Sequence, residues 1–481
     1  MSISVALQNA VQGLGAAGYG AQVVSNNISN ALTPGYARRT LELGSGALGG
    51  VTVLGVSRNI DAGLASDRRL AEAGQLYYGA ASDFYARFES LLGVPGDANS
   101  LSGRLADFEG TLVTAASRPD APDRLQQAVN AARSLADGIA AASDGVQAAR
   151  TQADQAIALE VAQLNTALQQ VQTLNAQITA AQAKSEETAS LDDQRFQVLD
   201  QIGTLVPLRI YQRDDGQVAL YSTNGALLLE GSAATIEFNG VGQVTPYMSL
   251  AGGQLSGITI NGLPVSADGA NGGLGGGSIG GNFEVRDRLG VEAQAELDAY
   301  ARDLIERFQD PAVDPSLAPG DAGLFTDQGA AFLPAAAPGI AQRITINAAV
   351  DPTQGGETWR LRDGINAAAQ GPVGEASLLQ AVGDALTTPR TTADGTFAGD
   401  ANTASALLSN LTSITAAKQI GTDQQLSFAN ARVTELTELQ LADGVDTDAE
   451  LQRLIQVEQA YAANARMIQV LDELMDVLNR L

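Results

Sequence analysis

Residues 1–37 read MSISVALQNAVQGLGAAGYGAQVVSNNISNALTPGYA and contain no Asp, Glu, Lys or Arg. Their apolar side chains recur in alternating steps of four and three residues, which is the a/d spacing of a helix that packs along another helix. The opposite face carries uncharged Gln, Asn, Ser and Gly, where an ordinary surface helix carries charges. The pattern predicts a helix surrounded by other protein, either its own domain or the interior of an oligomer. The apolar series comprises Ile3, Leu7, Ala10, Leu14, Ala17, Ala21, Val24 and Ile28.

The end of this helix is predicted at Asn30. Residues 33–36, Thr-Pro-Gly-Tyr, then form a tight turn, because Pro fixes φ and Gly accepts a positive φ. A secretory signal would begin with a basic region and continue as an unbroken apolar stretch, and residues 1–37 have neither. No run in the chain approaches the roughly 18 apolar residues of a membrane span. The sequence therefore predicts neither a cleaved signal nor a spanning segment.

Residues 447–481 predict a second long helix with the same alternation of apolar positions. Thr447 and Glu450 fit a capping box at its start. The acidic residues from Asp443 to Glu450 lack the Gly and Glu spacing of an EF-hand loop, so they favour helix capping over calcium binding. Neither terminal helix has a partner in the neighbouring sequence, so we expect the two to pair with each other and with other subunits. The C-terminal series comprises Leu454, Val457, Tyr461, Asn464, Ile468, Leu471, Met475 and Leu478.

The chain between the termini changes its periodicity. Helical spacing is predicted over residues 61–92 and 121–205, the latter rich in Ala and Gln. Short alternating segments follow over residues 206–266, separated by turn dipeptides that indicate antiparallel hairpins. The dipeptides are Asp215-Gly216, Asn224-Gly225, Asn239-Gly240 and Asn261-Gly262. Further on, the sequence predicts helices at 297–308, 376–386 and from 401, a strand at 343–347, and otherwise irregular structure over 311–400.

A Gly-rich stretch spans residues 267–282. Gly275, Gly277 and Gly280 have the GxGxxG spacing of a dinucleotide-binding loop. That motif requires a preceding buried parallel strand and a βαβ unit, and neither is predicted here. We therefore expect a flexible linker that returns the chain from the strands to the helices.

The predicted fold is mainly α with an inserted β domain, an α+β multidomain chain. Residues 1–40 with 445–481 form a terminal helical domain whose two helices pair as a coiled coil. Residues 41–205 with 282–444 form an elongated helical-bundle domain, and residues 206–281 form a small antiparallel β domain inserted into it.

Composition excludes several functions. The 481 residues include 54 acidic and 28 basic ones, a net charge of −26, which disfavours nucleic acid and anionic membranes as partners. With no His and no Cys, the chain has no disulfide, thiolate nucleophile, Ser-His-Asp triad or zinc ribbon. A carboxylate-dependent glycoside hydrolase is the remote enzymatic alternative, because it needs only two acidic residues. We predict no catalytic residue, no cofactor and no metal site, and hence no enzyme.

Two short motifs resemble signatures of the axial proteins of the bacterial flagellum. Residues 25–31, Ser-Asn-Asn-Ile-Ser-Asn-Ala, with the turn at residues 33–36, are similar to the N-terminal signature of that family. Residues 459–465, Gln-Ala-Tyr-Ala-Ala-Asn-Ala, are similar to the C-terminal one. Rod and hook members usually continue with Phe-Lys after the Gly of the turn, whereas residues 36–38 are Tyr-Ala-Arg. This resembles the hook–filament junction members of the family.

The resemblance implies a structural protein that is exported without a cleaved signal peptide and forms a ring between hook and filament, outside the cell. The implied partners are copies of itself, the hook protein, the second junction protein, and a cytoplasmic export chaperone on the C-terminal helices. A hook or distal-rod protein is the alternative within the same family. The residues expected to carry polymerisation and partner binding are Leu7, Leu14, Ala21, Asn26, Asn27, Ile28, Asn30, Pro34, Gly35, Tyr36, Leu454, Gln459, Tyr461, Asn464, Ile468, Leu471, Met475 and Leu478.

Overall fold

The computed structural model describes residues 3–33, 35–46, 49–267 and 273–480. It is mainly α-helical with small antiparallel sheets, which confirms the predicted fold class. In these ranges no helix combines the length and hydropathy needed to cross a membrane. The helices are α1 (Ile3–Ser29), α2 (Ala62–Leu92), α3 (Leu101–Ser117), α4 (Pro122–Ala183), α5 (Ala189–Leu205), α6 (Gly277–Glu284), α7 (Gly290–Phe308), α8 (Ile340–Arg343), α9 (Arg360–Asp363), α10 (Ser377–Thr387), α11 (Ala404–Ala442) and α12 (Thr447–Arg480).

The long helices lie where the apolar periodicity predicted them. α2 begins after Asp61, whose carboxylate accepts hydrogen bonds from the backbone N–H groups of Gly63 and Leu64. The predicted helical stretch 121–205 is confirmed as α4 and α5, with a break in which Ser185 has a φ of 59°. The helices predicted at 297–308, at 376–386 and from 401 are confirmed as α7, α10 and α11.

The start of α12 differs from the predicted capping box. Asp446, and not Thr447, caps the helix: its Oδ1 accepts the backbone N–H groups of Asp448 (2.9 Å) and Ala449 (3.1 Å). Glu450 does not return to the cap, because its carboxylate is buried against residues near the other terminus. The capping-box prediction was therefore wrong, although an acidic side chain does cap the helix.

The strands within the described residues form five small antiparallel sheets. β1 (Arg38–Ser45) pairs with β2 (Val51–Asn59) in a hairpin that the sequence analysis did not identify, and this hairpin crosses the predicted domain boundary at residue 40. The predicted β region contains a four-stranded and a three-stranded sheet. The remaining strands are β3 (Leu208–Gln212), β4 (Val218–Ser222), β5 (Leu227–Glu230), β6 (Ser232–Ala233), β7 (Ile236–Glu237), β8 (Ile258–Ile260), β9 (Leu263–Val265), β10 (Phe325–Asp327), β11 (Ile344–Ile346), β12 (Arg390–Thr391) and β13 (Ala401–Asn402).

Three of the four predicted turn dipeptides connect neighbouring strands. Asp215-Gly216 and Asn261-Gly262 both have positive φ at the two residues, as the tight turns of antiparallel hairpins require. Asn224-Gly225 lies between β4 and β5. The prediction of a hairpin turn at Asn239-Gly240 was wrong. The chain there approaches α4, and the backbone N–H of Val241 donates to Asp154 Oδ2 at 2.6 Å.

The prediction of a flexible linker at residues 267–282 was also wrong for its C-terminal part. Residues 268–272 lie outside the described chain, but Gly277 begins α6, which packs against α2. A Cβ on Gly281 would lie 3.0 Å from Ala80 Cβ, so the glycines allow two helix backbones to approach closely.

Gly277→Ala is expected to destabilise the fold, whereas Gly225→Ala should cost much less. Both glycines have positive φ (63° and 92°), so both substitutions introduce backbone strain. A Cβ at Gly277 would also clash with the backbone carbonyl of Leu205, while at Gly225 it would meet no atom within 4 Å. We expect an extra loss of about 1–3 kcal/mol at Gly277, measured by chemical denaturation. Equal losses would contradict the close approach.

Two hydrophobic cores share the 62-residue helix α4. Its N-terminal half packs with α2, α3, α7, α10 and α11 in the first core, which includes the fully buried Phe108 and Phe325. Its C-terminal half packs with α5, α6 and the strands from β3 to β8 in the second core. A single continuous helix therefore joins the helical part of the molecule to the β part. The predicted division into three domains stays a proposal.

Candidate functional site

The two terminal helices pack against each other in antiparallel orientation. Asn27 contacts Glu450, Gly20 lies against Val457, and Gly13 lies against Asn464. Each step of seven residues along α1 therefore moves the contact seven residues back along α12, which is a heptad register. Small residues make the approach close, since a Cβ on Gly20 would lie 3.4 Å from Val457 Cγ2. With the β1–β2 hairpin, these helices form what we call the terminal unit: α1, β1, β2 and α12.

Asn27 is the most buried of the predicted site residues, and its side-chain amide uses all its hydrogen-bonding groups. Nδ2 donates to the backbone oxygen of Arg39 (2.8 Å) and to Glu450 Oε2 (3.1 Å). Oδ1 accepts the backbone N–H of Arg39 and the hydroxyl of Tyr36, both at 2.9 Å. One fully buried amide thus joins α1, β1 and α12. A buried polar group is tolerated when every donor and acceptor is paired, as here.

Glu450 completes this cluster from the side of α12. Its side chain is fully buried, and Oε1 accepts a hydrogen bond from Arg38 Nε at 2.7 Å. The carboxylate lies in the first turn of α12, where the helix dipole favours a negative charge. Burial of the Tyr36 phenol beside these groups raises its pKa. We call Asn27, Tyr36, Arg38 and Glu450 the Asn27 cluster.

A second polar cluster connects the hairpin to α5. Arg39 and Arg58 are directly opposite each other across β1 and β2, a placement in which like charges repel. Asp193 of α5 lies between them: Oδ2 accepts from Arg39 Nη2 (2.8 Å) and Oδ1 from Arg58 Nε (2.6 Å). We call Asp193, Arg39 and Arg58 the Asp193 bridge. One carboxylate therefore bridges the cross-strand pair and offsets the repulsion between the two guanidinium groups.

Arg38, Arg39 and Asp193 were not predicted as site residues, and Glu450 was predicted only as part of a capping box. Only Arg38 and Arg39 gave a signal, since they are the first charges in the chain and directly follow the turn. Asp193 could not be distinguished among 54 acidic residues, and the role of Glu450 could not be recognised, because the partners of both are far away in sequence.

The predicted site residues fall into three groups by exposure. Asn27 and Leu471 are buried, and Pro34 lies outside the described residues. Half-buried positions, most of them at the α1–α12 contact or at the turn, are Leu7, Leu14, Ala21, Ile28, Asn30, Gly35, Tyr36, Leu454, Asn464 and Ile468. Exposed positions are Asn26, Gln459, Tyr461, Met475 and Leu478. The predicted C-terminal series is therefore partly covered by α1 and partly exposed.

The terminal unit has a surface that suits packing against apolar groups. A cavity of about 310 Å³ lies between α1, the hairpin and α12, lined mainly by small and apolar residues such as Ala17, Val23, Leu41 and Val457. Within the described ranges, no three His, Cys, Asp or Glu side chains are grouped as metal ligands.

Two family models match parts of the chain. Residues 85–311 match the helical domain of flagellar hook-associated protein FlgK, and residues 442–481 match the C-terminal region of flagellar basal body rod FlgEFG proteins. The first match runs from the C-terminal end of α2 through α7, and the second covers α12.

Curated relatives carry the corresponding name. Flagellar hook-associated protein 1 of Salmonella typhimurium is 29% identical over 243 residues, which is 48% of this chain and 44% of the relative. The Escherichia coli K12 protein of the same name is 27% identical over 243 residues, which is again 48% of this chain and 44% of the relative. This chain thus aligns with less than half of the length of the curated relatives. The solved flagellar hook junction protein FlgK from Burkholderia pseudomallei gives a TM-score of 0.45 at 19% identity, over 54% of this chain and 46% of that one.

Proposed function

We propose that this chain, which carries the helical domain of the flagellar hook-associated protein FlgK family, is a structural component of the bacterial flagellum that forms the junction ring between hook and filament. The observation that supports this most directly is the terminal unit, in which α1 and α12 pair while part of α12 keeps an apolar face free of α1. We propose that this face, together with the uncharged face of α1, packs against neighbouring subunits.

The exposed face of α12 supports the proposal through its chemistry. Tyr461, Met475 and Leu478 are 47%, 42% and 63% exposed, and Leu474 between them is 48% exposed. A long helix that presents large apolar side chains to water on one side is stable in a polymer, where neighbouring helices cover them. We propose that the exposed seam residues act between subunits, and that those covered by α1 act within the chain.

Partners of four kinds follow from the proposal: copies of the chain itself, the hook protein, the second junction protein, and a cytoplasmic export chaperone that holds the C-terminal helices. Exposed apolar side chains on α11, such as Phe428 (74%) and Leu441 (75%), extend the surface available to such a chaperone. We place the assembled protein outside the cell, at the hook–filament junction. We propose that the protein has no enzymatic activity and binds neither a cofactor nor a metal.

A hook or distal-rod protein is the second candidate. The match of residues 442–481 to the rod FlgEFG C-terminal region favours it, whereas the match of residues 85–311 to the FlgK helical domain favours the junction. The remote alternative of a glycoside hydrolase has no support from the family models or the curated relatives.

Deletion of the gene distinguishes the candidates. If the chain forms the junction, the mutant is non-motile, keeps complete hooks, and releases unattached flagellin into the medium. A mutant without hooks would indicate a rod or hook protein instead, and normal motility would contradict both. Restoring the intact gene on a plasmid controls for effects on neighbouring genes.

A further inference from the structure

The terminal unit is joined to the rest of the described chain through a small, charged contact. The ion pairs that cross this boundary in the described ranges are Arg39–Asp193, Arg58–Asp193 and a longer Arg39–Glu187 pair at 3.8 Å. All three leave the base of the hairpin and reach α5 or the residues just before it. Beside them the turn comes close to α5, where a Cβ on Gly35 would lie 2.6 Å from Gln197 Cγ.

Cation–π contacts of two arginines with the Phe196 ring continue the contact into the interior. The guanidinium carbon of Arg58 lies over the Phe196 ring, 4.9 Å from its centroid. The guanidinium carbon of Arg69 of α2 lies 4.5 Å from the same centroid. The Asp193 side chain is only 12% exposed, so its hydrogen bonds to the two guanidinium groups are weakly screened by water. The contact is therefore small in area but directional.

Arg39 belongs to both polar clusters. Its backbone N–H and carbonyl bond the Asn27 amide, its guanidinium bonds Asp193, and the same guanidinium lies 5.0 Å from the centroid of the Tyr36 ring. The Asn27 cluster, which requires α12 to be docked on α1, is thus continuous with the bridge that holds the hairpin on α5.

We propose that Asp193 is the positioning residue that fixes the angle between the terminal unit and the rest of the molecule, and that Arg39 couples this angle to the docking of α12 on α1. When Glu450 and Asn27 are paired, the Arg39 backbone is held and its guanidinium is directed at Asp193. When α12 is undocked, Arg39 loses this support and the angle is free to vary. The proposal concerns the free chain and does not depend on the junction function.

Distance measurements between two spin labels test the proposal, since the chain contains no Cys that would compete for labelling. Labels are placed at Gln22→Cys in α1 and Gln169→Cys in α4, both at exposed positions. In double electron–electron resonance the parent is expected to give a narrow distance distribution. Asp193→Asn should widen it roughly twofold, because domains joined by a small contact move relative to one another.

Asp200→Asn is the matched control. Asp200 also bridges two arginines, Arg68 and Arg69, with both oxygen–nitrogen distances at 2.6 Å, but these residues lie on α2 and not in the terminal unit. The distribution should stay narrow in this variant. Arg58→Gln removes one of the two ion pairs between the hairpin and Asp193 without altering α5, so it should widen the distribution even if Asp193→Asn perturbs α5.

The coupling is tested by Glu450→Gln. Alone it should widen the distribution, and in the Asp193→Asn background it should add little, since both changes release the same constraint. Narrow distributions in both Asp193→Asn and Arg58→Gln would overturn the positioning role. Full additivity of Glu450→Gln and Asp193→Asn would overturn the coupling through Arg39.

Discussion

Arg286→Met is expected to lower the free energy of unfolding by about 3–5 kcal/mol, because it leaves a buried carboxylate without its cation. Arg286 and Asp154 are both almost fully buried, with Nη1 and Oδ1 2.7 Å apart. The guanidinium also bonds Asp287 and the backbone oxygen of Ser256, and lies 4.7 Å from the centroid of the Phe283 ring. Met fills similar space but supplies none of these donors.

The local backbone shows why Arg286 reaches this position. Residues Val285–Leu289 form a π-helical turn between α6 and α7, and such a turn inserts an extra residue into a helix. Gly290 follows directly, where a Cβ would lie 2.5 Å from Cγ of Arg150. The turn and the glycine therefore allow two arginines to enter the contact between α4 and the 239–257 loop.

Arg288→Met is the control for this prediction. Arg288 lies two residues further along the same turn, its side chain is 54% exposed, and its partners are Glu284 and Glu292. Glu292 is exposed, whereas Glu284 is only 9% exposed, so we expect a loss of about 1–2 kcal/mol, smaller than that of Arg286→Met. Urea unfolding followed by far-ultraviolet circular dichroism compares the two variants, and losses of similar size would contradict a dominant role for the buried pair.

The helices and hairpin turns were predictable because their signals are local. A helix with an apolar face repeats every three to four residues, which placed α1, α2, α4 and α12. Asn-Gly and Asp-Gly pairs placed the turns at residues 215–216 and 261–262, because both residues must adopt positive φ. Asn239-Gly240 carried the same signal and failed, since the contact of the chain with Asp154 is not visible in nearby sequence.

The polar clusters could not be predicted for the same reason. Asn27 and Glu450 are 423 positions apart, and Asp193 is 154 positions from Arg39. No periodicity links such residues, and each carboxylate looks like many others in an acidic chain. The β1–β2 hairpin was missed because its polar and apolar residues alternate imperfectly. Its register shifts between Glu42 and Leu43, so a period of two is broken within β1.

The division of the C-terminal series into covered and exposed positions leads to the second large effect. Leu471→Asp is expected to undock α12 from α1, because Leu471 is only 9% exposed and lies one heptad beyond the Asn464–Gly13 contact. Losing this burial costs about 2–5 kcal/mol before the buried charge is considered. Isolated helices are marginal in water, so α1 should lose its amide protection in hydrogen exchange while the strands β3–β5 keep theirs.

Leu478→Asp should separate folding from assembly. Leu478 is 63% exposed, so an Asp there is solvated and the α1 amides should exchange as slowly as in the parent. If this face packs against neighbouring subunits, the same charge becomes buried in the polymer, and the variant should fail to restore motility to the deletion strain. Leu471→Asp should fail in both assays. Restored motility with Leu478→Asp would contradict assembly through the exposed face, and protected α1 amides in Leu471→Asp would contradict the dependence of α1 on its contact with α12.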